Sequence, residues 1–357
     1  MSDPRAAGAG GATRIVTADD LRRFTRAIFE RAGMSAAHAA IVADVLVWAD
    51  LRGVETHGVT RVPRYLGMIA AGDLNPAPAI SVRTEAAASV LLEADRAAGP
   101  VAMTAGMEWA VQKAREAGVG LALVRGTTHT AALGYYTLLG ARQGMAAIAM
   151  SGSIPNMAYH GARAAGVSTS PVSIAVPRGA EAPMVFDMGT GVISVGKLGQ
   201  ARRAGRAIPA GSALDANGNP TTDPRAAQIP LPLGGPKGSG LALMIECVTS
   251  LVASNAILAE ALGGTPEGRR HKNNGLALAI DIARFCDPGA FGREVDRLVR
   301  TLKALPRDPE IDEILAPGER GDRMFEERSQ TGIPVPRATV EELARVAQRL
   351  GVAMFSV

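Results

Sequence analysis

The apolar positions divide this chain into an N-terminal part that reads as helices and a middle in which short apolar runs alternate with helical periodicity. Thr17-Ala18-Asp19-Asp20 resembles a capping box with Asp in place of Glu and predicts a helix over 17–32. Ser35 caps a second helix, to about residue 50. Pro63 places a third near Arg61, because only the first turn of a helix lacks intrahelical N–H partners. His57 and Gly58 then sit on the turn just before it, and the Pro-containing stretch 74–78 ends the helical region. Further on, strands are predicted at 90–94, 120–124, 146–150, 173–176, 184–188 and 276–282. Helices are predicted at 100–117, 133–144, 240–256, 289–304 and 339–350. This alternation indicates an α/β fold. Residues 1–13, rich in Gly and Ala, read as a disordered tail.

Composition narrows the function classes. A chain of 357 residues can bury a sizeable core and predicts two domains. The formal charge of +4 is small for that length, and its cations are scattered, which argues against a nucleic-acid partner. Cys247 and Cys286 are the only cysteines, too few for a disulfide framework, so a reducing interior is expected. The N-terminus has no apolar signal core. No run approaches the roughly 20 apolar residues of a membrane span; the richest, 41–48 and 241–258, contain Asp44 and Glu246. The expectation is a soluble, cytoplasmic protein without membrane or nucleic-acid partners. No His/Cys/Asp/Glu cluster has metal-ligand spacing, so no metal is expected.

The candidate chemistry begins at Glu55–Tyr65, where His57, Arg61 and Tyr65 recur at intervals of four. A proton-transfer group, a planar cation and a phenol could share one side of a turn leading into a helix, as a small carboxylate substrate requires. His129 lies in Thr127-Thr128-His129-Thr130; like His57 it is flanked by small and hydroxyl residues that let an imidazole titrate near neutral pH. His38 and His271 read as surface residues, and His160 as a loop residue. No strand is followed by Gly-x-Gly-x-x-Gly, and Gly189-Thr190-Gly191 lacks the third glycine. Gly235-Pro236-Lys237-Gly238-Ser239-Gly240 lacks the P-loop order and the nucleophile-elbow spacing. It still puts Lys237 at a helix start, either as a pyrophosphate cradle or as a packing turn with a solvated lysine. A Schiff-base lyase built on Lys237 would need a depressed lysine pKa, which exposure in a Gly-rich turn opposes. Asp187 ends a buried strand, where it could orient a histidine, accept from a ribose hydroxyl, or cap the Gly189 turn.

Seven blocks in order carry a resemblance. They are 50–58 with Arg61, Pro63 and Tyr65; His129 with Gly134-Tyr135-Tyr136; Phe186-Asp187-Met188; Ile208-Pro209; 218–224; 235–240; and Pro317-Gly318-Glu319. The chain resembles the type-2 malate/L-lactate dehydrogenase family over residues 16–319. That family includes sulfolactate and ureidoglycolate dehydrogenases, diketogulonate reductases and cyclic imino acid reductases. The resemblance implies a non-Rossmann α/β domain (79–306) binding NAD or NADP, beside a smaller helical domain formed by 14–78 and 307–357. It implies a homodimer with the site in a cleft near the interface. The implied reaction is hydride transfer between NAD(P) and C2 of a small 2-hydroxy or 2-oxo acid. The alternatives are an NADPH-dependent reductase of a cyclic imino acid and a catalytically silent ligand-binding homologue. By position, His57 or His129 would be the acid/base, with Thr56 and Asp187 relaying or orienting, and Arg61 and Tyr65 would hold substrate. Ser153, Asp187, Met188, Gly189, Lys237, Gly238, Pro317, Gly318 and Glu319 would contact the cofactor. The chain departs from the family pattern at Thr56 (usually Ser), Thr128 (often Asn), Thr130-Ala131 (Phe-Gly in many), Ser153 and Ser170 (Asn in relatives), which leaves the substrate open.

Overall fold

The computed structural model describes residues 13–265 and 272–355; the tail read over 1–13 lies, but for Thr13, outside the described residues, and so does His271. The helices, in chain order, are α1 (Ala18–Arg31), α2 (Ala36–Leu51), α3 (Val62–Ala70), α4 (Gly99–Ala117), α5 (Gly134–Ala141), α6 (Val195–Ala204), α7 (Pro236–Glu246), α8 (Leu258–Leu262), α9 (Pro288–Lys303), α10 (Glu319–Thr331) and α11 (Arg337–Leu350). The local signals act where expected. Thr17 Oγ1 accepts the Asp20 N–H at 3.1 Å and Ser35 Oγ accepts the His38 N–H at 3.2 Å. Pro63 lies in the first turn of α3.

A seven-stranded mixed sheet forms the centre, in the order Ser81–Glu85, Ser89–Glu93, Val119–Thr127, Asn273–Asp281, Met145–Ser153, Val172–Val176, Met184–Met188. Only Ser89–Glu93 and Val119–Thr127 run parallel, and α4 supplies the crossover between them. α4 and α5 lie side by side on one face: a Cβ on Gly140 of α5 would meet the Ala147 Cβ at 2.8 Å. Side chains alternate along a strand, so Gly152 points to the other face, where it abuts Glu246 and Thr249 at the end of α7.

A layer of helices covers the sheet. α2 is apolar all round and is accordingly buried from Val42 to Leu51, apart from Asp44; it packs on α1, α4, α5 and α10. α11 closes on α1 and α3, and Arg14–Val16 pairs antiparallel with Ile333–Val335, tying N-terminal and C-terminal segments together. One continuous apolar cluster runs from Val16 through α2 and α4 into the sheet and out to α11. Among the described residues no helix is long and apolar enough to cross a membrane, and no group of three His, Cys, Asp or Glu side chains could hold a metal ion.

Candidate active site

The sheet register gathers half of the site. Asn273 lies opposite both Thr127 and Ser153, and Val172 opposite both Met150 and Met188. Three strands therefore end where two others begin, and His129, Ser153, Asp187 and Met188 leave the sheet at one edge. The His129 loop is pinned to the start of α4. Thr128 Oγ1 donates to Ala97 O at 3.1 Å and accepts the Gly99 N–H at 3.2 Å, while Thr127 Oγ1 also donates to Ala97 O. Thr128 is fully buried, so this hydroxyl performs the donor and acceptor duties an amide side chain could perform there.

The helical layer brings the other half. After α2, Glu55–His57 and Val59–Arg61 form two 3₁₀ turns hinged at Gly58. The buried Asp50 carboxylate fixes that hinge: Oδ2 accepts the Val59 N–H at 2.8 Å, and a Cβ on Gly58 would lie 1.8 Å from Oδ1. Burial raises the Asp50 carboxyl to about 8. His57 is thereby set with its ring stacked on His129, centroids 5.6 Å apart and planes at 18°. Thr56 Oγ1 lies 2.9 Å from His57 Nδ1. Burial, then the charges of Arg61 and Arg64, lower His57 to about 4, so the ring is neutral at physiological pH. Tyr65 is wholly buried beneath His129, its hydroxyl 2.9 Å from Nδ1 and 3.0 Å from the carbonyl oxygen. Arg61 uses Nε on Thr56 O and has no carboxylate partner among the described residues.

One stretch of chain, from Asp187 to Gly196, touches every part. Asp187 Oδ2 accepts the Gly134 N–H at 2.7 Å; desolvation raises the carboxyl to about 6, with that N–H and the Arg52 charge pulling the other way. Thr190 O lies 2.6 Å from where a Gly238 Cβ would sit, so the start of α7 rests on this stretch. Gly196 opens α6 against Thr56, at 2.6 Å from an added Cβ to the Thr56 Cβ. Near the start of α7 the Gly238 and Ser239 N–H groups already donate to Leu233 O and Gly235 O, which leaves the exposed Lys237 ammonium as the group open to an anion. Gly318, at φ +86°, fits under Val185 with Arg52 donating to its carbonyl oxygen at 2.9 Å. A cavity of about 670 Å³ opens at this turn, lined by Met184, Val299, Lys303, Pro317 and Glu319.

Residues 16–344 match the family described as malate/L-lactate dehydrogenase. This chain belongs to that family. It is 35% identical to the malate dehydrogenase of Pyrococcus horikoshii over 94% of this chain and 96% of that one. It is also 35% identical to the L-sulfolactate dehydrogenase of Methanocaldococcus jannaschii, over 91% and 94%. The structure of malate dehydrogenase from Entamoeba histolytica superposes with a TM-score of 0.91 at 26% identity, over 96% of this chain and 99% of that one. Membership carries the reaction class with it: this malate/L-lactate dehydrogenase family member is an oxidoreductase of small 2-hydroxy acids.

Of the residues expected at the site, His57, His129, Thr56, Arg61 and Tyr65 converge. Asp187 accepts from the Gly134 turn, and Tyr65 contacts His129 from inside the core. Ser153 lies toward the far end of α7 from Lys237, its hydroxyl directed at Ile154 O. The Glu319 carboxylate is engaged by Lys303 and Arg323, each at 2.6 Å. Sequence reading assigned no role to Asp50 or Gly196. The signal for Asp50 was a carboxylate in an apolar helix followed eight residues later by a glycine, which only the fold brings together.

Proposed function

We propose that this chain catalyses reversible oxidoreduction at C2 of a small 2-hydroxy/2-oxo acid with NAD or NADP, using His57 as the proton-transfer group. The observation that carries this reading is an Arg61 guanidinium with no carboxylate partner among the described residues, beside two stacked imidazoles, one of them held neutral. The nicotinamide, when bound, supplies or takes back the hydride. Lys237, exposed and without an anionic partner among the described residues, suits a diphosphate; Asp187, Met188 and Gly189 lie on the stretch beneath it, and Pro317–Glu319 borders the cavity.

The chain's own groups do the rest. Arg61 grips the C1 carboxylate through its two terminal nitrogens, which orients C2. If Nδ1–H of His57 donates to Thr56 Oγ1, the other ring nitrogen offers a lone pair to the substrate hydroxyl, and in the reverse direction it returns the proton to the developing alkoxide. The Ala131 N–H, 3.4 Å from His129 Nδ1, favours the tautomer of His129 that carries its proton on Nε2. His129 then serves as a hydrogen-bond donor to the same oxygen, steadied by Tyr65. This division of labour favours His57 as the base.

The exposed apolar side chains Leu241, Met244, Leu251 and Val252 on and after α7 support a homodimer formed over that face. The two free cysteines suit a cytoplasmic location. The test is a panel of NADH and NADPH oxidation against oxaloacetate, pyruvate, sulfopyruvate, diketogulonate and cyclic imines. Turnover confined to cyclic imines, or none with any substrate, would overturn the oxo-acid reading.

A further inference from the structure

α6 belongs to a part of the molecule with a core of its own. Leu198, the buried side chain of this helix, packs with Ile208, Ala213 and Ala227 in an apolar cluster separate from the main one. Ala213–Leu214 lies between Pro220–Thr221 and Ile229–Pro230 in a three-stranded sheet that is not joined to the central sheet. Arg202 ties α6 to the connection before the last of these strands, donating to Pro224 O at 3.2 Å and to Ala227 O at 2.8 Å. Helix, small sheet and connection hold one another, so α6 is braced against whatever its other side touches. Its first turn touches the turn that carries Thr56 and His57. A Cβ on Gly196 would lie 2.6 Å from the Thr56 Cβ, 2.9 Å from the Thr56 methyl and 3.2 Å from a terminal nitrogen of Arg61. The first two distances leave no room for a side chain at Gly196. By contrast, a Cβ on Gly199 would meet only Arg203 Nη1 among the described residues, at 3.7 Å.

Thr56 is branched at Cβ, so its methyl and its hydroxyl turn together about one stiff bond. A wall that meets the methyl therefore also sets the hydroxyl, and that hydroxyl lies 2.9 Å from His57 Nδ1. Arg61 is held from the same side: its Nε donates to Thr56 O while a terminal nitrogen lies along Gly196. We propose that Gly196 is a positioning residue through which α6 fixes the rotamer of Thr56 and the plane of the Arg61 guanidinium, so that His57 and Arg61 are set for reaction only while α6 is seated. This rests on the dehydrogenase reading above and adds to it the element that assembles the site. Any side chain at Gly196 must either lift α6 off the turn or rotate Thr56 away from His57, and both outcomes loosen the two groups that reaction requires.

The test measures kcat and KM for oxaloacetate and pyruvate reduction in wild type, Gly196→Ala, Gly199→Ala, Thr56→Ser and the double variant of Gly196→Ala with Thr56→Ser. Alongside, NMR spectra of protein labelled at the histidine ring nitrogens are recorded, with the His57 signals assigned by their absence in His57→Ala. Gly196→Ala loses about 10²-fold in kcat/KM, the effect of moving reacting groups by about 1 Å. The loss falls on kcat and on KM together, because Thr56 and Arg61 both move. Gly199→Ala adds the same methyl group to the same helix and keeps wild-type kinetics. Thr56→Ser retains the hydroxyl and removes the methyl, so the double variant recovers part of what Gly196→Ala loses, a non-additive pair. The His57 signals shift in Gly196→Ala and stay in place in Gly199→Ala. Wild-type kinetics or unshifted His57 signals in Gly196→Ala, an equal loss in Gly199→Ala, or a double variant no better than Gly196→Ala alone would each overturn the positioning role. A wild type that turns over neither oxo acid sinks the dehydrogenase reading, while the histidine spectra still decide whether α6 sets His57.

Discussion

Two groups of arginines flank the same short stretch of chain and are treated in opposite ways. Arg52 and Arg328, with side chains 7% and 10% exposed, are each matched by a carboxylate and a main-chain carbonyl: Asp322 and Gly318 O for one, Glu55 and Asp50 O for the other. They clamp α10 to α2. A few residues on, Arg61, Arg64 and Arg203 have no carboxylate partner among the described residues. Arg64 and Arg203 are exposed to water, so only the half-buried Arg61 costs the folded chain something by lacking a partner. The contrast separates cations that hold the molecule together from cations that leave a place for something else.

The comparison breaks most visibly at the imidazoles. His57→Ala should lower kcat for hydroxy-acid oxidation by about 10²–10⁴-fold with little change in Tm. Full turnover in His57→Ala, with loss in His129→Ala, would move the proton-transfer role to His129. A related outcome concerns pH. Because His57 sits at about 4 in the free enzyme, its neutral form already dominates above that value, so kcat/KM for oxidation should show no acid limb from it between about pH 5 and 8. A limb inside that window belongs to another group.

Arg61→Ala should cost about 10²–10³-fold in kcat/KM, the worth of a bidentate charged contact, yet leave Tm equal or higher, since an unmatched charge is removed. A clear drop in Tm would place Arg61 with the structural arginines. Arg328→Met should do the reverse. It strands Glu55, which is a third exposed, so the loss of stability in urea titration should be about 2 kcal/mol, less than for a fully buried pair.

The smallest expected effect is at Asp50. The unfolded chain releases this proton near 3.8 and the folded chain keeps it to about 8. Stability from this group is therefore full below 3.8 and is lost as pH rises through 8. Asp50→Asn carries no such charge, so its stability relative to wild type should rise steadily as pH goes from about 5 to 8, against a pH-independent cost from its unpaired amide N–H. A difference that does not vary with pH would show that the carboxyl is already ionised.

What was legible in the chain was local. Thr17, Ser35 and Pro63 each announce a helix start by chemistry confined to one turn, and the apolar runs announce the central strands. α6 and α10 were not announced. α6 carries Gly196, Gly199 and a polar sequence, and packs on Thr56. α10 is polar along its length and is held by Arg52, Arg328 and Glu319 pairs. The expected helix over 240–256 instead leaves α-geometry after Glu246 for a wider turn at Cys247–Leu251. The Glu246 carboxylate draws in the Ile257 and Leu258 N–H groups, both at 3.0 Å. At the site, intervals of four suggested one helical side for His57, Arg61 and Tyr65. The two tight turns around Gly58 do not follow that spacing. The meeting of His57 with His129 depends on the Asp50 hinge and on sheet register, neither of which any local pattern encodes.

The hinge has a consequence for how this molecule can change. Gly58 and Asp50 occupy each other's only available space, so neither position can drift alone: a larger side chain at one evicts the other, and shortening Asp50 frees an amide with nowhere to go. Any route to a new preference that passes through this pair crosses a damaged intermediate. Arg64 and Arg203, exposed and with no side-chain partner among the described residues, carry no such constraint.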